Sequence, residues 1–166
     1  MANSFEVVLG AQSFVLPSSS ACSRGVLQNR PFLAFDDTTV ERAFSQPFQM
    51  PAAFTGSGTL RADIHYMMAS ATTNKVDFDI AVEAITAADA VDLDAADSFD
   101  TANSGDQTVP GTAGYLGVLT IALTNRDSVA VGDYVRIRLE RDADDATNDT
   151  ATGDARVLMV VIREDV

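Results

Sequence analysis

The chain has no tryptophan, one cysteine and one histidine among its 166 residues. A lone Cys22 excludes an intrachain disulfide, and it reads as a small apolar residue inside the protein. As a nucleophile it would need a histidine, and the one histidine, His65, lies on the polar face of its strand beside Asp63 with no nucleophile marked for it. A single histidine also excludes a multi-histidine metal centre. The only polar aromatics are Tyr66, Tyr115 and Tyr134, so platforms for stacking a sugar ring are scarce. Basic residues are few, 11 Lys and Arg against 24 Asp and Glu, a net charge of -13. That surface repels nucleic-acid phosphates and anionic membranes, and neither is an expected partner. No apolar run approaches the roughly 20 residues of a membrane-spanning helix. The N-terminus lacks the basic, apolar, small-residue order of a signal peptide, so secretion by that route is not expected. Gly111-Thr112-Ala113-Gly114 follows Pro110 and leads into a strand rather than a helix, which makes it a plain loop and not a phosphate cradle.

What the chain has is alternation. Leu60, Ala62, Ile64, Tyr66 and Met68 interleave with Arg61, Asp63, His65 and Met67. Val76, Phe78, Ile80 and Val82 do the same with Lys75, Asp77, Asp79 and Glu83. Apolar residues at every second position define half-buried strands. The six small and polar residues 69–74 between these runs predict an antiparallel hairpin. Leu119, Ile121 and Leu123 continue the pattern, as do Val135, Ile137 and Leu139. Residues 157–162 are apolar on both faces, which predicts a central strand or one covered by another subunit. Residues 32–35 and 40–50 look extended, with Pro47 marking an edge or a bulge. Helical periodicity is nearly absent; residues 87–96 allow at most a short helical turn.

These signals predict an all-β fold: an antiparallel two-sheet β-sandwich, jelly-roll-like, of about eight or nine strands. With 46% hydrophobic residues the chain can fill such a core. The Ser- and Pro-containing stretch 17–25 separates short apolar pieces from the body. Residues 1–30 are accordingly expected as an extended N-terminal arm or linker, and residues 31–166 as the sandwich domain.

Two acidic loops stand out. One holds Asp89, Asp92, Asp94, Asp97, Asp100 and Asp106; the other holds Asp142, Asp144, Asp145, Asp149 and Asp154. Asp92, Asp94 and Asp97 are weak candidates for a structural cation, since calcium favours carboxylates on flexible loops. Their spacing lacks the glycine and closing glutamate of an EF-hand, and the plainer reading is a solvated loop. No metal or cofactor is otherwise expected. Glycoside hydrolysis would need paired carboxyls in a sugar-binding cleft, and nothing marks one. Arg136 and Arg138 share one strand face, fit either for cross-strand ion pairs or for an acidic partner. With them, Phe5, Val7, Leu9, Phe14, Leu16, Leu158, Val160 and Ile162 are the expected interface residues.

Three stretches carry a resemblance. They are Ser98-Phe99-Asp100-Thr101-Ala102-Asn103 with residues 108–116, then Leu123-Thr124-Asn125-Arg126-Asp127-Ser128-Val129-Ala130-Val131-Gly132-Asp133, and then residues 138–146 with 150–155. Their phrasing resembles small jelly-roll-like virion proteins of tailed bacteriophages, over residues 32–166. The resemblance implies a head decoration, or cement, protein that is not an enzyme. It implies a homotrimer on the capsid surface, bound to the major capsid protein and made in the host cytoplasm. The alternative is a receptor- or glycan-binding module of a phage tail or head fibre.

Overall fold

The computed structural model describes residues 3–166. They form two antiparallel sheets of six strands each, stacked as a sandwich. The first sheet is built on β1 (Asn3–Gly10), β3 (Ser23–Leu27), β4 (Arg30–Phe35), β7 (Thr59–Met68), β10 (Gly117–Ala122) and β12 (Ala155–Asp165). The second holds β2 (Phe14–Val15), β5 (Glu41–Ser45), β6 (Phe48–Gln49), β8 (Lys75–Ile85), β9 (Asn103–Thr108) and β11 (Tyr134–Arg141).

In the first sheet the order is β10-β7-β12-β4-β3, and β1 pairs with β12 beyond the end of β4. In the second the order is β2-β5-β11-β8-β9, with β6 continuing β5 along β11. Pro47 sits in the gap between β5 and β6, where it has no ladder bond to donate. The alternating apolar positions of both sheets meet in one core. Ile64, Tyr66, Val157 and Val160 face Phe78, Ile80, Ile137 and Leu139, all at 1% exposure or less. Phe78 packs edge-on against Phe35 and Tyr66, with centroids 5.8 and 6.0 Å apart. Burying each such side chain stabilises the fold by roughly 1.5–3 kcal/mol.

The two-sheet sandwich agrees with the sequence pattern, and several details differ. β7 and β8 are not a hairpin: they lie in different sheets, and residues 69–74 cross from one layer to the other. Two strands that each own one apolar face can bury it by stacking face to face as well as by pairing, and here they stack. Among the described residues the strand count is twelve rather than eight or nine. Most of the excess comes from residues 3–27, which belong to the sandwich and are not an arm. Phe5, Val7 and Leu9 alternate with Glu6 and Val8 along the edge of β12, so Leu9 is 5% exposed and Phe5 and Val7 pack on the core. Phe14 and Cys22, at 1% and 2%, are core residues too. Residues 87–96 form turns without a helix; among the described residues the one helical element is the 3₁₀ turn Ala11–Ser13. β12 is central, flanked by β7 on one side and by β4 and β1 on the other.

Candidate ligand-binding groove

The exposed face of the first sheet divides into a charged half and an apolar half. At one end Arg163 Nε donates to Asp63 Oδ2 at 2.6 Å, Thr120 Oγ1 donates to Asp63 Oδ1 at 2.6 Å, and Arg61 and Arg163 both reach Asp165. Burial pushes the Asp63 carboxyl up, but the Arg163 and Thr120 contacts outweigh it and hold the group below its ordinary value. Toward the other end the cross-strand neighbours are Val118 beside His65 and His65 beside Met159, while Val161 stands between Asp63 and Val8.

Three local features hollow out the apolar end. The β3–β4 hairpin turns on Gln28 and Asn29, with φ of 49 and 62°, the two left-handed residues that a tight two-residue hairpin requires. In β12 the register slips between Val157, opposite Tyr66, and Met159, opposite His65. Leu158 is the extra residue of that bulge and is aimed outward. The loop before β10 turns at Gly114, whose φ is +81° and whose N–H donates to Met68 O at 3.0 Å. That turn leaves Tyr115 and Leu116 with 64% and 60% of their surface exposed.

Two adjoining hollows result, of about 380 and 410 Å³, both lined by Arg30 and Leu158. The first adds Leu27, Gln28, Met67 and Leu116. The second adds Gln12, Ser13, Asn29 and Pro31. Together they make a shallow groove with an apolar floor, planar amide and guanidinium groups along its sides, and Tyr115 next to its rim residues. No carboxylate lines either hollow.

Of the expected interface residues, Leu158 is in this groove, while Leu9, Phe14, Val160 and Ile162 are core side chains at 5% exposure or less. They cannot meet a partner without unfolding the sandwich; the apolar pattern that singled them out is the core pattern. Phe5, Val7 and Leu16 are partly buried against the same core. Arg136 and Arg138 lie on the outer face of the other sheet. Arg136 bonds Glu83 and Asp97 at 2.6 Å, and both guanidiniums stack on Phe99, 5.3 and 5.6 Å from its centroid. The three cation candidates do not converge: Asp92 accepts the Asp94 N–H at 3.0 Å, whereas Asp97 pairs with Arg136. Cys22 is buried and its thiol is pushed up to about 12, chiefly by burial, which leaves it inert. Sequence reading missed Arg30, Leu116 and the bulge at Leu158. The Gln28-Asn29 turn was the available signal; an unbroken apolar run hides a one-residue slip.

Neither a known protein family nor a curated protein sequence matches the chain. Solved structures do. The chain is similar to the CBM36-1 domain of a multidomain xylanase from the hindgut metagenome of Trinervitermes trinervoides, at 14% identity over 98% of this chain and 99% of that one, with a TM-score of 0.52. The chain shares a fold with carbohydrate-binding modules. It also matches the C-terminal CBM6 of a Zobellia galactanivorans laminarinase, at 11% identity over 96% and 100% of the two chains, with a TM-score of 0.48. A third is the CBM6cm-2 module of Cellvibrio mixtus lichenase 5A, solved with cellotriose, at 11% identity over 96% and 98%, with a TM-score of 0.49. At such identities the likeness concerns the fold alone.

Proposed function

We propose that the chain is a non-catalytic carbohydrate-binding module whose binding site is the groove around Leu158. The observation that carries this reading is the groove itself: apolar floor, planar polar side chains from Gln12, Gln28, Asn29 and Arg30, and exposed Tyr115 adjoining its lining residues Gly114 and Leu116. A sugar ring has apolar C–H faces and an equator of hydroxyls. Flat aliphatic and aromatic surface takes the faces, and amide and guanidinium groups take the hydroxyls. The resemblance in fold to the CBM36-1 domain of a xylanase supports the same reading. Binding without cleavage is supported by the lining, because glycoside hydrolysis needs a carboxyl pair and the groove has none. Affinity electrophoresis against a panel of soluble β-glucans, xylans and mannans tests the reading. Retardation by one of these classes is the expected result, and free migration in all of them opposes it.

A second reading keeps the virion role. Val8, Val26, Leu27, Leu116 and Val118 are each at least 41% exposed on the first-sheet side, an amount of apolar surface that also suits a protein neighbour. Sedimentation of the pure protein as a trimer, together with binding to phage heads, supports this reading. A monomer that ignores heads removes it.

A further inference from the structure

We propose that Asp77, Asp142 and Asp145 form a calcium site on the second sheet, independent of the groove. β8 carries Asp77 on the outer face of the sheet, and residues 142–150 fold back over it. The Asp142 N–H donates to Asp77 O at 3.3 Å, and the Thr150 N–H donates to Lys75 O at 2.9 Å. One carboxylate oxygen from each of the three residues lies within 4.8 Å of the other two. Asp77 is only 3% exposed, it faces the other two carboxylates, and its Oδ1 has no hydrogen-bond partner. A buried, unpartnered acceptor aimed at two further carboxylates is costly unless a cation completes it.

The surroundings supply little neutralising charge. Asp79 and Asp106 bear on Asp77 from β8 and β9, and Asp144 hydrogen-bonds Asp142. The nearby Lys75 is held by Asp106 at 2.7 Å, and Arg141 is committed to Asp149. Asp145 is oriented by the backbone N–H groups of Thr147 and Asn148, at 2.8 and 3.1 Å, and by the Asn148 amide at 3.0 Å. These contacts hold its carboxyl below the ordinary value, so it stays ionised. Burial and the neighbouring carboxylates push Asp77 up to about 7. The Asp144 hydrogen bond, then burial and like charge, push Asp142 up to about 6.

The donors are all hard oxygens, which suit calcium or magnesium rather than zinc or copper. Calcium–oxygen bonds of about 2.3–2.6 Å let ligands on opposite sides stand roughly 5 Å apart, whereas magnesium at about 2.1 Å requires roughly 4 Å. Two of the three carboxylates stand on the 142–150 loop, and calcium, which accepts about six to eight oxygens in flexible geometry, suits such a set better than magnesium, which demands a near-ideal octahedron.

Calorimetric titration of CaCl2 into chelator-treated protein, above neutral pH, tests the site. A single calcium per chain is expected, together with a calcium-dependent rise in melting temperature. Asp142→Asn and Asp145→Asn, both at half-exposed positions, are expected to weaken binding by at least about tenfold. Asp92→Asn should bind like the parent. MgCl2 should bind at least about tenfold more weakly than CaCl2. Absence of saturable calcium binding by the parent protein overturns the site, as does unchanged affinity in both variants. Equal affinity for magnesium overturns the choice of ion.

Discussion

Arg141 and Asp149 form a bidentate ion pair at the base of the second acidic loop, with side chains 0% and 1% exposed. Nε donates to Asp149 Oδ2 at 2.8 Å and Nη2 to Oδ1 at 2.7 Å. The remaining guanidinium protons go to the carbonyls of Phe35, Ala151 and Gly153, at 3.2, 2.7 and 2.8 Å. Asp149 Oδ2 also accepts the Asp77 N–H at 3.2 Å. One buried guanidinium thus ties β4, β8, β11 and the 142–154 loop together, and it holds the loop where Asp142 and Asp145 meet Asp77.

Removing one partner strands the other charge in the interior. Arg141→Ala is expected to lower the unfolding free energy by about 3–5 kcal/mol, read from urea denaturation. Arg141→Lys keeps the charge without the planar fork and is expected to recover only part of that loss. A change in the alanine variant under about 1 kcal/mol would show that the pair does not anchor the loop.

The raised carboxyls set a direction for stability against pH. An unfolded Asp77 titrates near 3.8, whereas the folded one titrates near 7. Between those values the folded state holds a proton that the unfolded state has lost, so stability falls as pH rises. Asp142, raised to about 6, adds to the slope over the lower part of that window. Asp36, Asp63 and Asp145 are shifted the other way, and their contribution is lost only at lower pH. In calcium-free buffer, urea midpoints measured from about pH 4 to 8 should decline up to about pH 7 and then level off. Asp77→Asn should flatten its share. Rising stability across the same range would contradict the assignment.

Close approach of backbone to backbone gives a stability test away from both sites. A Cβ on Gly58 would run into the Asp165 carbonyl, which the β7–β12 pairing holds in place, whereas one on Gly111 meets nothing within 4 Å. Gly58→Ala is expected to cost about 1–3 kcal/mol or more, read from thermal melting, and Gly111→Ala to be nearly neutral. Equal effects would mean that the strand end gives way.

The layered β fold was legible because its cause is local. Period-2 alternation at 60–68, 75–83 and 134–141 is printed residue by residue. Strand partnership was not, because Ile64 and Phe78 present the same pattern whether their strands pair or stack. Residues 3–16 were misread for a related reason: short apolar pieces beside a Ser-rich stretch look like an arm until β12 is seen to need an edge partner. The acidic loops were visible as composition. Their roles depended on tertiary placement: Asp97 beneath Arg136, Asp149 inside with Arg141, and Asp142 against an Asp77 some sixty residues earlier. The groove depends on a single-residue slip at Leu158 that an unbroken apolar run conceals.

The groove is tested most directly by calorimetric titration of the oligosaccharide class that retards the parent protein, into the parent and into Leu158→Arg. Leu158 is a half-buried side chain on the outer face, so the variant should melt near the parent temperature. Saturable binding by the parent and at least about tenfold weaker binding by Leu158→Arg is the expected pair of results. Parent-like affinity in a folded Leu158→Arg would contradict the assignment of the groove.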